Sequence, residues 1–177
     1  MRPSRKKNKD GILTKIKDFR KYGSYWKGDA MKGYVCKICS FISINGSAPE
    51  KCPVCGAPKA AFEEKEEAVK TPNDSNNLTE LEKKHIPVIT VVRKCGLIPE
   101  GCTDVHVKMG EIQHPMEAKH YIMHIDFYID KELISRIMLT PDKLNPAGAL
   151  HIKAKGGRLT VIELCNLHGA WIKETDL

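Results

Sequence analysis

The sequence predicts a mainly β protein in two unequal parts: a small four-cysteine module, then a small antiparallel β-sandwich. Three observations carry this. Four cysteines fall in two tight pairs, Cys36/Cys39 and Cys52/Cys55. Lys70-Thr-Pro-Asn-Asp-Ser-Asn-Asn77 has no apolar side chain and is rich in turn formers, which marks a linker. From Leu81 onward the texture changes to short β-branched or alternating runs separated by Gly and Pro clusters.

The elements follow in order. Residues 1–31 form a basic extension, with one short helix expected where Asp10 caps Ile12, Leu13, Ile16 and Phe19 at helical spacing. Its apolar stripe is expected to dock on the protein's own body. Residues 32–66 form the cysteine module, and Glu63, Glu64, Glu66 and Glu67 are expected on a short solvated helix. Residues 67–79 are the linker. Residues 80–177 form the sandwich, with strands expected at Val88–Val92, Val105–Met109, Tyr121–Ile129, Ile134–Leu139, Leu150–Ala154 and Leu159–Leu164. His85 precedes Ile86-Pro87 and is expected at the entry to the first of these.

Composition excludes several classes. The chain has 177 residues, 41% hydrophobic and 29% charged, so it folds rather than staying disordered. No apolar run approaches the ~18 residues of a membrane span, and no signal peptide is visible. A cytoplasmic location is expected. Seven cysteines in a reducing compartment read as metal ligands or free thiols. Residues 1–30 hold ten Lys/Arg against three Asp/Glu, while the rest of the chain holds nineteen of each. The excess charge therefore belongs to the extension and says little about the body.

Two residues between paired cysteines let both thiolates of a knuckle reach one ion. Two knuckles, Cys36/Cys39 and Cys52/Cys55, complete a tetrahedral all-sulfur site that suits iron or zinc. Gly56 is free to take a positive φ and aim backbone N–H groups at sulfur. In the second part, His114-Pro-Met puts a histidine in extended backbone. His120 follows at a strand start, and Cys165-Asn-Leu-His168 offers a thiolate and an imidazole from one turn. Four imidazoles and one thiolate would make a five-coordinate site suited to iron or copper, with one position left open. A blue-copper site would want a methionine shortly after its Cys and His; the last one here is Met138. His106, His124 and His151 are expected on strands, as surface or packing residues. Cys95 and Cys102 flank Gly-Leu-Ile-Pro-Glu-Gly and face each other across a hairpin, as free thiols or a redox-labile disulfide.

Tyr34-Val-Cys-Lys-Ile-Cys39 with Cys52-Pro-Val-Cys-Gly-Ala-Pro-Lys59 and Phe62 resembles the rubredoxin-type domain in the short form found in rubrerythrins. The resemblance implies a one-electron iron, with zinc the alternative. One departure is Ser40, where that family usually places Gly. Lys84-His85-Ile-Pro87, His114-Pro-Met-Glu-Ala-Lys-His120-Tyr-Ile122 and Cys165-Asn-Leu-His168-Gly169 resemble the superoxide reductase family, the desulfoferrodoxins and neelaredoxins. This second resemblance implies an immunoglobulin-like sandwich carrying a mononuclear non-haem iron. His85, His114, His120 and His168 would be equatorial ligands and Cys165 the axial one. The family has a Glu-Lys pair before the first histidine. Here Lys84 matches the lysine, Lys83 stands where Glu is expected, and Glu82 lies one residue further back.

These resemblances imply reduction of superoxide to hydrogen peroxide. Lys84 would draw the anion to the open position. Electrons would come from a donor such as rubredoxin or a reductase, relayed through the four-cysteine iron. A homodimer or homotetramer is implied, with no membrane. The competing reading is a zinc-ribbon nucleic-acid binder, with the cysteines structural and the basic arm on phosphates. It leaves the three His/Cys motifs unexplained.

Overall fold

The computed structural model describes residues 30–98 and 100–177. The helix expected near Asp10, and nearly all of the basic extension, lie outside the described residues. The elements are β1 (Met31–Cys36), β2 (Ile42–Ser43), a 3-10 turn (Lys59–Ala61), β3 (Phe62–Val69), α1 (Glu80–His85), β4 (Pro87–Val92), β5 (Thr103–Met109), β6 (Ile122–Ile129), β7 (Glu132–Met138), β8 (Ala147–Ile152), β9 (Arg158–Cys165) and β10 (Gly169–Asp176).

All pairings between named strands are antiparallel. The cysteine module is a three-stranded sheet in the order β2-β1-β3. The second part is a sandwich of a four-stranded sheet, β10-β9-β6-β7, and a three-stranded sheet, β4-β5-β8. Alternation along β6 and β9 makes the four-stranded sheet apolar on both faces. One face sends Ile125, Phe127, Leu159 and Val161 against Val105, Val107 and Ile152 of the other sheet. The opposite face sends Tyr128, Ile162, Ala170 and Ile172 into a second core with Met31, Phe41, Ile42 and Val69 of the cysteine module. The module therefore covers one face of the sandwich. Phe41 stacks on Tyr128 with ring centroids 6.2 Å apart, and the Tyr128 hydroxyl donates to the carbonyl of Ile42 at 2.8 Å.

The structure corrects one expectation and adds two elements that the sequence reading did not name. The glutamates at 63, 64, 66 and 67 lie on β3, not on a helix. β3 pairs with β1 in the register Val35↔Glu63 and Gly33↔Lys65, and Lys32 bridges to Glu64 and Glu66. Cross-strand pairing outweighs the helix preference of glutamate. His85 stands at the entry to β4, with Ile86 alone between them, and there it closes α1, a helix the sequence reading did not name. That helix starts at a capping box, in which Thr79 Oγ1 accepts from the Glu82 N–H and the Glu82 carboxylate accepts from the Thr79 N–H at 2.7 Å. Finally, β10 has no counterpart among the expected strands. It pairs with β9 from Gly169↔Cys165 to Asp176↔Arg158 and supplies Trp171 to the site.

Candidate functional site

The two cysteine knuckles are built alike. Cys36 accepts from the backbone N–H groups of Ile38 and Cys39, and Cys52 from those of Val54 and Cys55. Each knuckle closes with a positive-φ residue, Ser40 at 58° and Gly56 at 73°. Ser40 and Gly56 donate to the carbonyls of Cys36 and Cys52 at 2.8 and 2.9 Å. Serine thus holds a left-handed conformation that glycine would adopt without strain. The sulfurs lie 3.7 Å (Cys36–Cys55) and 3.5 Å (Cys39–Cys52) apart. Four thiolates at ~2.3 Å from one ion in a tetrahedron would sit ~3.8 Å from one another. Burial opposes the Cys36 thiolate, but the backbone N–H groups of Cys39 and Ile38 outweigh it and bring this thiol down to about 7.

The second group gathers His85, His114, His120, Cys165 and His168, with one donor atom from each all within 4.8 Å of one another. These residues span more than eighty positions, and two local devices bring them together. At Gly110 (φ 79°) the chain turns tightly under the end of α1. A Cβ there would meet the carbonyl oxygens of Lys83 and Lys84 at 2.5 Å. Gly110 donates to the Ile86 carbonyl and Ile112 to the Lys83 carbonyl, which carries His114 up to His85. At the other end, Ile122↔Cys165 pairing, the Asn166 N–H on the Tyr121 carbonyl, and the Tyr121 N–H on Asn166 Oδ1 bring His120 to the Cys165–His168 turn.

The ring geometry identifies which nitrogens face inward. His85 Nδ1 lies 2.7 Å from the Leu81 carbonyl, and His114 Nδ1 lies 2.6 Å from the Pro115 carbonyl. Both Nδ1 atoms therefore carry the proton and donate. Both Nε2 atoms are then lone pairs, yet they face each other at 3.1 Å. Two lone pairs at that distance repel unless a cation lies between them. His168 Nδ1 adds a third nitrogen 3.1 Å from His85 Nε2, and His120 Nε2 a fourth, 3.2 Å from His168 Nδ1. Four nitrogens in a square at ~2.1 Å from a metal would lie ~3.0 Å from their neighbours. Cys165 Sγ stands 3.6 Å from His168 Nδ1 and accepts from the backbone N–H groups of Leu167 and His168. The donor set fits a metal with four in-plane nitrogens and one thiolate.

Burial keeps the two inner imidazoles neutral: His85 and His114 are both held down to about 4, chiefly by desolvation. His168 is lowered for the same reason. Burial also raises the Cys165 thiol, against its two backbone N–H donors.

Three residues around the group escaped the sequence reading. Trp171 on β10 stacks on His85 with centroids 5.2 Å apart. Lys70, within the expected linker, pairs with Trp171, lies 5.3 Å from its ring centroid, and donates from Nζ to the His168 carbonyl at 2.9 Å. Glu163, opposite Trp171 in the β9/β10 register, is fully buried with no hydrogen-bond partner among the described residues, and burial raises its carboxyl well above the usual range. Glu82 is committed elsewhere: its carboxylate accepts from the Asn73 and Thr79 N–H groups and the Thr79 hydroxyl. Lys83 pairs with Glu80, and Lys84 is exposed on α1.

Comparison with known proteins agrees with this geometry. Residues 77–174 match the desulfoferrodoxin family model, over all three His/Cys motifs. The chain belongs to the desulfoferrodoxin family. Residues 34–63 match the rubredoxin-like domain of rubrerythrin. A desulfoferrodoxin of Syntrophotalea carbinolica is 30% identical over 148 residues, covering 82% of this chain and 98% of that one. A superoxide reductase of Pyrococcus horikoshii is 34% identical over 106 residues, covering 54% and 88%. Among solved structures, the superoxide reductase (neelaredoxin) of Ignicoccus hospitalis superposes with a TM-score of 0.50 at 27% identity, covering 63% of this chain and 94% of that one. As a desulfoferrodoxin-family chain with a rubredoxin-like module, the protein carries iron at both groups.

Proposed function

We propose that the chain is a superoxide reductase, adding one electron and two protons to superoxide to give hydrogen peroxide. The observation that carries this is the pair of facing Nε2 lone pairs of His85 and His114, which with His120, His168 and Cys165 form a metal-binding set inside a desulfoferrodoxin-family domain. His85, His114, His120, His168 and Cys165 would hold the catalytic iron. Cys36, Cys39, Cys52 and Cys55 would hold the second. When bound, the catalytic iron would supply the electron and a position for the small anion.

The chain's own residues supply the rest. The Leu81 and Pro115 carbonyls fix the tautomer and tilt of two imidazoles. Trp171 covers one ring face of His85. Lys84 is the residue proposed to attract the anion, and Lys70 adds a second positive charge beside His168. Glu82 is held by the capping box and takes no part in ligation. Each turnover consumes an electron, so a redox donor is required. The proposed relay runs from a donor such as rubredoxin through the four-cysteine iron. The division into a module at 32–66, a linker at 67–79 and a sandwich at 80–177, a cytoplasmic location and a homodimeric or homotetrameric assembly belong to the same reading. Among the described residues no helix is long and apolar enough to cross a membrane. The nucleic-acid alternative has no support, because the family match covers the motifs it leaves unexplained.

Product stoichiometry tests the reading. Pre-reduced protein mixed with superoxide should yield peroxide for every superoxide consumed, without releasing O2. Release of O2 with half that peroxide would mark dismutation and overturn it.

A further inference from the structure

Away from both iron groups, a third set of ligand-type side chains converges at the far edge of the sandwich. Cys95 follows β4, Cys102 immediately precedes β5, Asp104 lies on β5, and His151 lies on β8 directly opposite Asp104 in the strand register. One donor atom from each lies within 4.8 Å of the other three. His151 Nδ1 is 3.2 Å from Cys95 Sγ, 3.7 Å from Cys102 Sγ and 2.8 Å from Asp104 Oδ1, and Cys102 Sγ is 3.6 Å from Asp104 Oδ1. We propose that Cys95, Cys102, Asp104 and His151 form a third metal site, a closed tetrahedral one for zinc.

Two further features support it. The first is how Cys95 is held. Its sulfur accepts from the backbone N–H groups of Leu97 and Ile98, two and three residues on, at 3.4 and 3.1 Å. Cys36 receives Ile38 and Cys39, Cys52 receives Val54 and Cys55, and Cys165 receives Leu167 and His168. Cys95 thus has the same knuckle as three cysteines of the iron groups. Such N–H donors stabilise a metal-bound thiolate. The second is His151 Nδ1, which faces two sulfurs and a carboxylate oxygen at once. A lone pair directed at a cation, with both sulfurs and the carboxylate around the same cation, satisfies all four donors together. Three of the four spacings, 3.2, 3.6 and 3.7 Å, fall near the ~3.3–3.8 Å edges of a tetrahedron with Zn–N of ~2.0 Å and Zn–S of ~2.3 Å, while the 2.8 Å contact of His151 with Asp104 is a hydrogen bond that would lengthen on binding. Two thiolates, an imidazole and a carboxylate leave no open position, so the ion is structural. It fastens the segment between β4 and β5 to the β5/β8 edge. Binding releases the two thiol protons: Zn2+ and two thiols give a zinc dithiolate and two H+.

The test uses the full iron-loaded chain. Wild-type protein and the Cys95→Ser/Cys102→Ser double variant are incubated with zinc chloride under reducing conditions, desalted and analysed for metals. The wild type should retain about one zinc more per chain than the double variant, with identical visible iron bands in both. His151→Gln should retain the fold, read from the same iron bands, and bind zinc at least ~10-fold more weakly in chelator competition. Cobalt(II) in place of zinc should give a thiolate-to-cobalt charge-transfer band in the wild type alone. Equal zinc in wild type and double variant would overturn the proposal. So would a Cys95–Cys102 disulfide in protein purified under reducing conditions, which would mark a redox pair instead.

Discussion

Arg136 donates from Nη1 to the carbonyl oxygen of Cys39 at 2.7 Å, joining the sandwich to the backbone of a ligand of the four-cysteine centre. Its other two nitrogens, Nε and Nη2, fork onto the Asp126 carboxylate at 2.6 Å each, and both side chains are nearly buried. Removing the guanidinium leaves the buried Asp126 carboxylate without its charge partner, with the Tyr128 hydroxyl at 3.4 Å as a remaining donor, and takes the donor from the Cys39 carbonyl. Arg136→Leu should therefore cost about 3–5 kcal/mol in denaturant unfolding. Arg136→Leu with Asp126→Leu should recover most of that loss, because no charge is then left alone. If the single variant unfolds like the wild type, the pair does not hold the two parts together.

His124 makes a pH prediction. It is 4% exposed and held down to about 4, first by burial. Its Nε2 lies 3.8 Å from Asp126, but a neutral imidazole forms no ion pair there. The unfolded chain binds the proton near 6.5 and the folded chain only near 4. Stability from this residue is present above 6.5 and is lost as pH falls through that window. Its full size is about 3 kcal/mol. His124→Gln should flatten this part of the stability curve between pH 6.5 and 4. Parallel wild-type and variant curves would contradict the assignment.

Gly110 joins the local fold to the catalytic group. Gly110→Ala forces a Cβ against three carbonyl oxygens at a positive φ. It should destabilise the protein by about 1–3 kcal/mol and lower iron retention at the five-ligand group, leaving the bands of the four-cysteine centre intact. Equal iron content and stability would show that this turn does not position His114.

Charge steering is testable through salt. Lys84→Ala and Lys70→Ala should each slow the encounter with superoxide by about three- to tenfold at low ionic strength, with a shallower salt dependence. Stopped-flow or pulse-radiolysis rates over a salt series measure this. A variant with unchanged rate and slope removes that lysine from the steering role.

How much of this was legible in the sequence depends on the range of the contact. Cys36/Cys39 and Cys52/Cys55 are local, so their spacing alone announces the knuckles. His85, His114, His120, Cys165 and His168 lie on separate elements. They were assembled by resemblance, and the physical reason they meet lies in the Gly110 turn and the Ile122↔Cys165 register. The start of α1 went unread, although Thr79-x-x-Glu82 is a capping box in plain sequence. Lys70 and Trp171 were not, because their pairing spans about a hundred residues and leaves no periodic trace. The glutamates of β3 misled because local helix preference competes with a partner strand about thirty residues away. Cys95 and Cys102 were recognised as neighbours, but Asp104 and His151 join them only through the β5/β8 register.

The most direct measurement is a metal count with a visible spectrum on wild type and Cys165→Ser. Wild type should hold two irons per chain and show a thiolate-to-ferric band beyond those of the four-cysteine centre. Cys165→Ser should lose that band, keep those of the four-cysteine centre and lose superoxide reduction by more than about 100-fold. A colourless zinc protein, or a Cys165→Ser variant that keeps the extra band and the activity, would contradict convergence of the five side chains on one catalytic iron.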